Sequence, residues 1–164
     1  MNIRKPADYS VLFSELDKLI AAQLPQMELY CEIGRVVSGR AEKGAAVAAS
    51  EYLQAAYPTA EGFSPRNLRR MRAFYAAYEE SPEIIRLAMN LGWTRNVAIL
   101  ERCGSSEEWA WYIRAVLHFD WKKAKLLAAI ESQAWLHSSL DEQAISCYTG
   151  EKEITQESEW NEKD

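Results

Sequence analysis

Four arginines lie within seven consecutive residues of this chain, at positions 66, 69, 70 and 72. Arginine guanidinium groups bind phosphate through paired N–H donors. In the major groove of DNA, arginine reads guanine and asparagine reads adenine, and Asn67 lies inside the cluster. The residue types therefore favour a nucleic-acid contact, in which Arg66, Arg69, Arg70 and Arg72 bind phosphate while Asn67 and one arginine lie nearest the bases.

The arginine cluster is expected at the start of a helix. Ser64 can accept a hydrogen bond from the unpaired N–H groups there, and Pro65 suits the first helical position. We predict a helix over about 65–79. Cations in its first turns oppose the helix dipole, and an anion nearby would relieve this. We expect one face of this helix to be buried and to consist of Leu68, Met71, Tyr75 and Tyr78. The arginines should then face outward.

Two readings of the cluster need no nucleic acid. The arginines can pair with carboxylates of a partner protein, or they can form an ordinary solvated face near Glu79 or Glu80. Asn67 can bond to the backbone at the helix start instead of to a base.

A helix-turn-helix is expected where a predicted helix over 45–57 precedes the arginine helix. In that motif the second helix enters the major groove by its N-terminal residues. The predicted turn of about six residues is longer than the usual three or four.

Two later segments repeat the same kind of helix entry, in which an aromatic residue precedes a capping residue and a basic helix start. They are Gly92-Trp93-Thr94-Arg95-Asn96 and Phe119-Asp120-Trp121-Lys122-Lys123. We add Arg95, Lys122 and Lys123, with Lys125, to the candidate binding residues. The tryptophans of the second half are interpreted as core packing, with a stacking platform for single-stranded bases as the alternative.

The sequence predicts a helical chain, because it lacks long runs of alternating apolar and polar residues and lacks Asn-Gly hairpin turns. We predict an all-α fold, a compact bundle of about six helices, over about 8–23, 26–40, 45–57, 65–79, 105–118 and 120–137. The first helix is expected to place five residues on its inward face, Val11, Leu12, Leu16, Leu19 and Ile20. Ala124, Leu127 and Ala128 are inward candidates on the last.

Charge divides the 164 residues into a helical domain over 1–140 and an acidic tail over 141–164. The tail holds eight acids and two lysines, a net charge of −6, whereas the other 140 residues have a net charge of +1. Such tails are usually disordered. A more specific possibility is that the tail mimics nucleic acid and covers the arginine helix.

Several classes of function are excluded by what the sequence lacks. Three widely spaced cysteines and two histidines match no metal-ligand spacing, and we expect no metal or cofactor. Known catalytic motifs are absent, so we expect no enzyme. No apolar run reaches the roughly 20 residues that span a bilayer, and no signal peptide is expected. These features predict a cytoplasmic protein without a membrane contact.

Three segments together resemble the N-terminal domain of the bacterial YhcG-like family, a family of unknown function. They are Tyr30-Cys31-Glu32-Ile33-Gly34-Arg35, Gly62-Phe63-Ser64-Pro65-Arg66-Asn67-Leu68-Arg69-Arg70-Met71-Arg72-Ala73-Phe74-Tyr75 and Gly92-Trp93-Thr94. The resemblance covers about residues 10–132. It implies an all-helical domain that binds DNA in a helix-turn-helix manner and usually precedes a PD-(D/E)XK nuclease domain.

The chain departs from that family in two places. Residues after 140 leave no room for a nuclease domain, and Arg95-Asn96-Val97 stands where the family more often has a histidine-containing segment. The resemblance therefore implies a stand-alone bacterial or phage module. We expect it to bind double-stranded DNA for targeting or regulation, and a homodimer would suit a two-fold symmetric operator. The alternative is a protein-interaction module that binds or inhibits a nuclease or defence complex, for example as a mimic of a host domain.

Overall fold

The described residues of this protein, 8–137 of a computed structural model, are helical wherever they have regular structure. This confirms the all-α prediction, although these residues form nine helices where about six were expected. The acidic tail lies outside the described residues. The helices are α1 Ser10–Ala21, α2 Gln26–Ser38, α3 Ala45–Ala56, α4 Pro65–Tyr78, α5 Pro82–Ala88, α6 Trp93–Arg102, α7 Ser106–Phe119, α8 Lys123–Glu131 and α9 Ala134–His137.

The chain divides into two compact units between Ala76 and Ala77. The first unit holds α1, α2, α3 and most of α4. The second holds α5 to α9. Each unit has its own buried apolar residues and is described by itself.

In the first unit, α1 packs against α2 and α3. The core side chains Leu16, Ile33, Val37 and Leu53 have no exposed surface. Val11, expected to face inward, is 69% exposed. It neighbours Leu12 in the first turn of α1, and consecutive helical residues point about 100° apart, so burying Leu12 and Leu16 turns Val11 to solvent.

One face of α4 is buried, and it consists of Leu68, Met71, Phe74 and Tyr78. The prediction placed Tyr75 in this stripe, but the structure buries Phe74 and leaves Tyr75 half-buried. Positions 74 and 75 both continue the helical spacing between Met71 and Tyr78, so spacing along the helix does not distinguish them. The helix backbones of α2 and α4 approach closely at Gly34, where a Cβ would collide with the carbonyl oxygen of Met71.

In the second unit, α6 packs against α7 and α8, and α5 packs against α7. Its core includes Leu87, Leu91, Ile99, Ile113 and Leu126. Ser105 begins α7 by accepting a hydrogen bond from the backbone N–H of Glu108 at 3.2 Å.

The predicted helix over 120–137 is divided in the structure. Asp120 has a φ of 55° and Gln133 a φ of 57°, left-handed values that end one helix and separate the next two. Within α8, the buried residues are Leu126 and Ala129, and the expected candidates Ala124, Leu127 and Ala128 are half-buried or exposed. Apolar residues occupy six of the nine positions of α8, so their spacing does not single out an inward face.

Candidate nucleic-acid interface

Two hydrogen bonds donated by Asn67 stabilise the N-terminus of α4. Its backbone N–H donates to Ser64 Oγ at 3.1 Å, which confirms the expected cap. Its side-chain Nδ2 donates to the carbonyl oxygen of Gly62 at 2.6 Å. Gly62 has a φ of 91°, which few side chains tolerate. Asn67 therefore acts first as a structural residue of the helix entry.

The segment before α4 is anchored to α3. Ser50 Oγ donates to the carbonyl oxygen of Phe63 at 2.6 Å, and Gln54 Nε2 donates to the same oxygen at 2.9 Å. The Phe63 ring is buried. The hydroxyl of Tyr30, on α2, lies so close to Gly62 that a Cβ there would collide with it. These contacts fix the position from which α4 begins.

Arg66 and Arg69 form the exposed, basic part of α4. Both side chains are exposed, and neither forms a hydrogen bond or an ion pair with another described residue. Residues three apart on a helix are neighbours on one face, with Cβ atoms about 5–6 Å apart. The same face continues with the exposed Ala73 and Ala76. We call this surface the α4 outer face, defined by Arg66, Arg69, Ala73 and Ala76.

Arg72 is bound to the backbone of the α2–α3 connection. Its Nη2 donates to the carbonyl oxygen of Arg40 at 2.6 Å, and its Nη1 donates to that of Glu42 at 3.3 Å. Arg70 is half-buried and also interacts within the chain. The four arginines of the cluster therefore differ, because two project into solvent and two are engaged by the protein itself.

The α2–α3 connection, to which Arg72 binds, contains an ion pair between Arg40 and Glu42. Arg40 makes two bonds of 3.1 Å to the Glu42 carboxylate, and its Nη2 donates to the carbonyl oxygen of Asp8 at 2.9 Å. Its guanidinium carbon also lies 4.9 Å from the ring centre of Tyr9. A backbone hydrogen bond, and then the bond from Arg40, hold the pKa of Glu42 below its usual value. The sequence analysis missed this cluster, although Arg40 is the last residue of the helix predicted over 26–40 and Glu42 follows it by two positions.

Arg95 was predicted to be a binding residue, but the structure buries it. It is only 4% exposed, and it donates from Nε to the carbonyl oxygen of Leu91 at 2.9 Å and from Nη1 to that of Trp121 at 2.6 Å. A buried guanidinium that binds two backbone carbonyls joins elements of the second unit and does not present its charge to a ligand. Its neighbour Asn96 is fully buried, and its Nδ2 donates to the carbonyl oxygens of Ala88 and Gly92.

The predicted lysines begin α8 in the second unit. Lys122 is the residue before the helix and is exposed, Lys123 is half-buried, and Lys125 is exposed. The α4 outer face belongs to the first unit and is defined without them. Lys122 and Lys123 also interact within the chain.

The predicted helix-turn-helix has a longer connection than expected. Because α3 ends at Ala56 and α4 begins at Pro65, residues 57–64 separate them. Eight residues exceed both the predicted six and the three or four usual for the motif. Two of these residues bind neighbouring helices through their backbone carbonyl oxygens, because Phe63 accepts a hydrogen bond from Ser50 on α3 and Gly62 accepts one from Asn67 on α4.

The tryptophans take part in packing within the second unit. The Trp121 ring lies 5.6 Å from that of Phe119 and 6.4 Å from that of Trp111. Trp109 Nε1 donates to the carbonyl oxygen of Cys103 at 3.1 Å. Burial raises the pKa of the Cys103 thiol to about 12, so this thiol remains protonated and is a poor nucleophile.

Residues 8–137 contain no cluster of three or more histidine, cysteine, aspartate or glutamate side chains arranged to hold a metal ion. In the same range, no helix has the length and apolar character needed to span a bilayer.

Comparison with known proteins identifies the family. Neither the curated proteins nor the solved structures gave a match. The family model of the DUF1016 N-terminal domain matches residues 16–137, which is 122 of the 164 residues. This match confirms the resemblance to the YhcG-like N-terminal domain and covers well over half of the chain, so the chain belongs to the DUF1016 N-terminal domain family.

Proposed function

We propose that this protein is a non-catalytic DNA-binding module whose contact surface is the α4 outer face. The observation that carries the proposal is the exposed pair Arg66 and Arg69, which has no carboxylate partner among the described residues. Exposed arginines in this arrangement suit an external anion, and the phosphates of duplex DNA form a regular row of anions.

The position of the pair within α4 strengthens this proposal. Arg66 and Arg69 lie in the first two turns, where the helix dipole adds its own positive potential. Within the protein this arrangement is unfavourable, because like charges meet at the positive end of a helix. A DNA phosphate would turn the same arrangement into an attraction, since the dipole, the backbone and both guanidinium groups all favour negative charge there.

Binding of a fluorescent DNA duplex, followed by anisotropy at several salt concentrations, tests the proposal. Wild type should bind with an affinity that falls as salt rises. The double variant Arg66→Gln, Arg69→Gln should bind more weakly, with the slope of log affinity against log salt reduced by about one for each arginine.

The double variant Lys18→Gln, Arg35→Gln is the matched control, because it also removes two positive charges, from exposed side chains that pair with Glu15 and Glu32. Its salt slope should stay close to that of wild type. An equal slope in wild type and the double variant would reject the α4 outer face as the DNA contact. A nuclease-resistant protein complex that depends on Arg66 and Arg69 would instead identify an acidic protein partner.

A further inference from the structure

We propose that residues 140–148 of this chain bind, as a short amphipathic helix, in an open groove of the second unit. The groove has a volume of about 620 Å³, and its lining residues are Arg102, Leu127, Ile130 and Glu131. We call it the α6–α8 groove, because α6 supplies the first of these residues and α8 the other three. The proposal concerns packing within the second unit and does not depend on DNA binding.

The groove is partly apolar because α8 has apolar residues on more than one side. Leu126 and Ala129 of α8 are buried in the core, whereas Leu127 and Ile130 are half-buried. Residues three positions apart are neighbours on the surface of a helix, so Leu127 and Ile130 form one apolar patch. A helix that is apolar all round is normally buried. The described residues cover this side of α8 only in part, and a further apolar element would complete its burial.

The segment over 140–148, which lies outside the described residues, follows a helix that is fixed to α8. The hydroxyl of Tyr112 donates to the carbonyl oxygen of Ala129 at 3.3 Å and accepts a hydrogen bond from the backbone N–H of Trp135 at 3.5 Å. These bonds join α8 to α9, which pack against each other. Because α9 ends at His137 and an extended chain spans at most about 3.6 Å per residue, Leu140 is within about 11 Å of His137. The segment therefore begins within reach of α8.

The sequence of the segment has the spacing of an amphipathic helix. Four residues form what we call its apolar face, and they are Leu140, Ala144, Cys147 and Tyr148. Their separations of four, three and one positions place them on one side of a helix, with Glu142 and Ser146 on the opposite side. A helix over these nine residues is about 14 Å long, and α8 also has nine residues. The apolar face thus matches the apolar patch of α8 in character and in length.

The polar residues of the groove determine how the segment is oriented. Arg102 is exposed and forms no ion pair with another described residue, and Glu131 is exposed as well. On a helix of this register, Asp141 lies at one edge of the apolar face and Gln143 at the other. Asp141 can pair with Arg102, and the Gln143 amide can donate to Glu131. Exposed ion pairs stabilise little, so the apolar contact provides most of the affinity and the polar pairs set the orientation.

Cys147 serves as a natural reporter of this docking in the full chain. Because it lies on the apolar face, docking should slow its alkylation by iodoacetamide, which mass spectrometry of the peptide containing Cys147 measures. We expect alkylation at least about tenfold slower than in a synthetic peptide of residues 138–164, which has the same neighbouring charges. The slowing should not depend on protein concentration, because the segment and the groove belong to one molecule.

Two substitutions in the groove should release the segment. Leu127→Gln, Ile130→Gln makes the groove polar and should return the alkylation rate of Cys147 to that of the peptide. Ala124→Gln, Ala128→Gln is the matched control, because both alanines are exposed on α8 and do not line the groove. This control should keep the slow rate. Circular dichroism establishes that each variant is folded.

Two further sets of variants leave the apolar core of the second unit unchanged. Leu140→Gln, Tyr148→Gln alters only the segment and should also return the fast rate. Arg102→Glu should accelerate alkylation, and adding Asp141→Arg should slow it again, because the exchanged charges restore the pair. Acceleration by Arg102→Glu that Asp141→Arg does not reverse would reject this orientation of the segment.

Three results would overturn the proposal. The first is alkylation of Cys147 in wild type as fast as in the peptide. The second is slow alkylation that the groove substitutions leave unchanged, because the segment would then pack elsewhere. The third is protection that increases with protein concentration, which would assign the groove to the segment of a second copy of the chain.

Discussion

Arg72 donates a hydrogen bond of 2.6 Å from Nη2 to the backbone carbonyl oxygen of Arg40, across 32 positions of the chain. This contact separates Arg72 from Arg66 and Arg69, although all three belong to one short arginine cluster. The same residue type thus serves as a brace for the α2–α3 connection at one position and as an exposed cation at the others. The distinction has measurable consequences.

Replacing Arg72 with glutamine should lower stability without a specific effect on the salt dependence of DNA binding. Two backbone carbonyls lose a charged donor, and because the site is half-buried we expect a loss of about 1 kcal/mol in the free energy of unfolding. Denaturant unfolding measures the loss, and Arg69→Gln is the comparison, with little expected change. A lower salt slope in Arg72→Gln at unchanged stability would contradict the assignment.

Replacing Arg95 with methionine should destabilise the second unit more strongly. Arg95 is buried and bonds to the carbonyl oxygens of Leu91 and Trp121, which would remain buried without this donor. We expect a loss of about 2 kcal/mol in the free energy of unfolding. Arg102→Met, at an exposed position in the last turn of α6, is the control and should change stability by less than about 0.5 kcal/mol. Equal effects of the two substitutions would show that the Arg95 bonds add no stability.

Replacing Gly34 with alanine should separate α2 from α4. The added Cβ would overlap the carbonyl oxygen of Met71 and lie 3.1 Å from the Cβ of Tyr75, and a backbone carbonyl cannot rotate away as a flexible side chain can. We expect a loss of about 3 kcal/mol, at the upper end for overpacking. Gly104→Ala is the matched control, because an added Cβ there meets nothing within 4 Å. Thermal unfolding of both variants compares them, and a Gly34→Ala protein as stable as the control would contradict the close approach.

Asp17 should contribute a pH-dependent part of the stability of the first unit. Tyr52 Oη and Tyr57 Oη donate to its carboxylate at 2.6 and 2.7 Å. The bond from Tyr52, and then that from Tyr57, hold the pKa of Asp17 below its ordinary value of 3.8. A carboxyl whose folded pKa is lowered stabilises the fold above its unfolded pKa, and this contribution is lost as the pH falls through the folded value.

Thermal unfolding from neutral pH down to below pH 3.8 measures this contribution. Wild type should lose more stability over that range than Asp17→Asn, in which the titrating group is gone. Identical pH profiles would show that Asp17 is not linked to folding. At the alkaline end, the bond to Asp17 raises the pKa of Tyr57 to about 12. The Tyr57 contribution is therefore present below its ordinary pKa of 10 and is lost as the pH rises toward 12.

Sequence patterns predicted the first four helices to within two residues because strong local signals mark their ends. Ser64 and Pro65 define the start of α4, and Pro25 precedes α2. The predicted helix over 105–118 also matches α7 to within one residue. The helix predicted over 120–137 was wrong because Asp120, interpreted as a capping residue at a helix start, ends α7 in the left-handed conformation, and Gln133 separates α8 from α9 in the same conformation. Aspartate occurs both at helix starts and in the left-handed conformation, so residue type did not distinguish the two roles.

The candidate site shows the same division between local and long-range information. The Ser64 cap and the outward direction of Arg66 and Arg69 follow from spacing along one helix. Both partners of Arg72, and Trp121 as one of the two partners of Arg95, lie 26 or more positions away, and a single sequence gives no signal that joins positions so far apart. Residue type alone therefore could not separate the exposed arginines from those that the fold uses.

The repeated helix entries at Gly62–Asn67 and Gly92–Asn96 also bear on how the chain folds. In each, a glycine with positive φ is followed by an asparagine whose Nδ2 donates to that glycine's carbonyl oxygen, at 2.6 Å in the first and 2.9 Å in the second. Contacts between residues so close in sequence cost little loop-closure entropy, so we expect them to form early in folding. One such entry lies in each unit. We expect each unit to begin folding around its own nucleus, so that substitutions at Asn67 and Asn96 slow folding more than they accelerate unfolding.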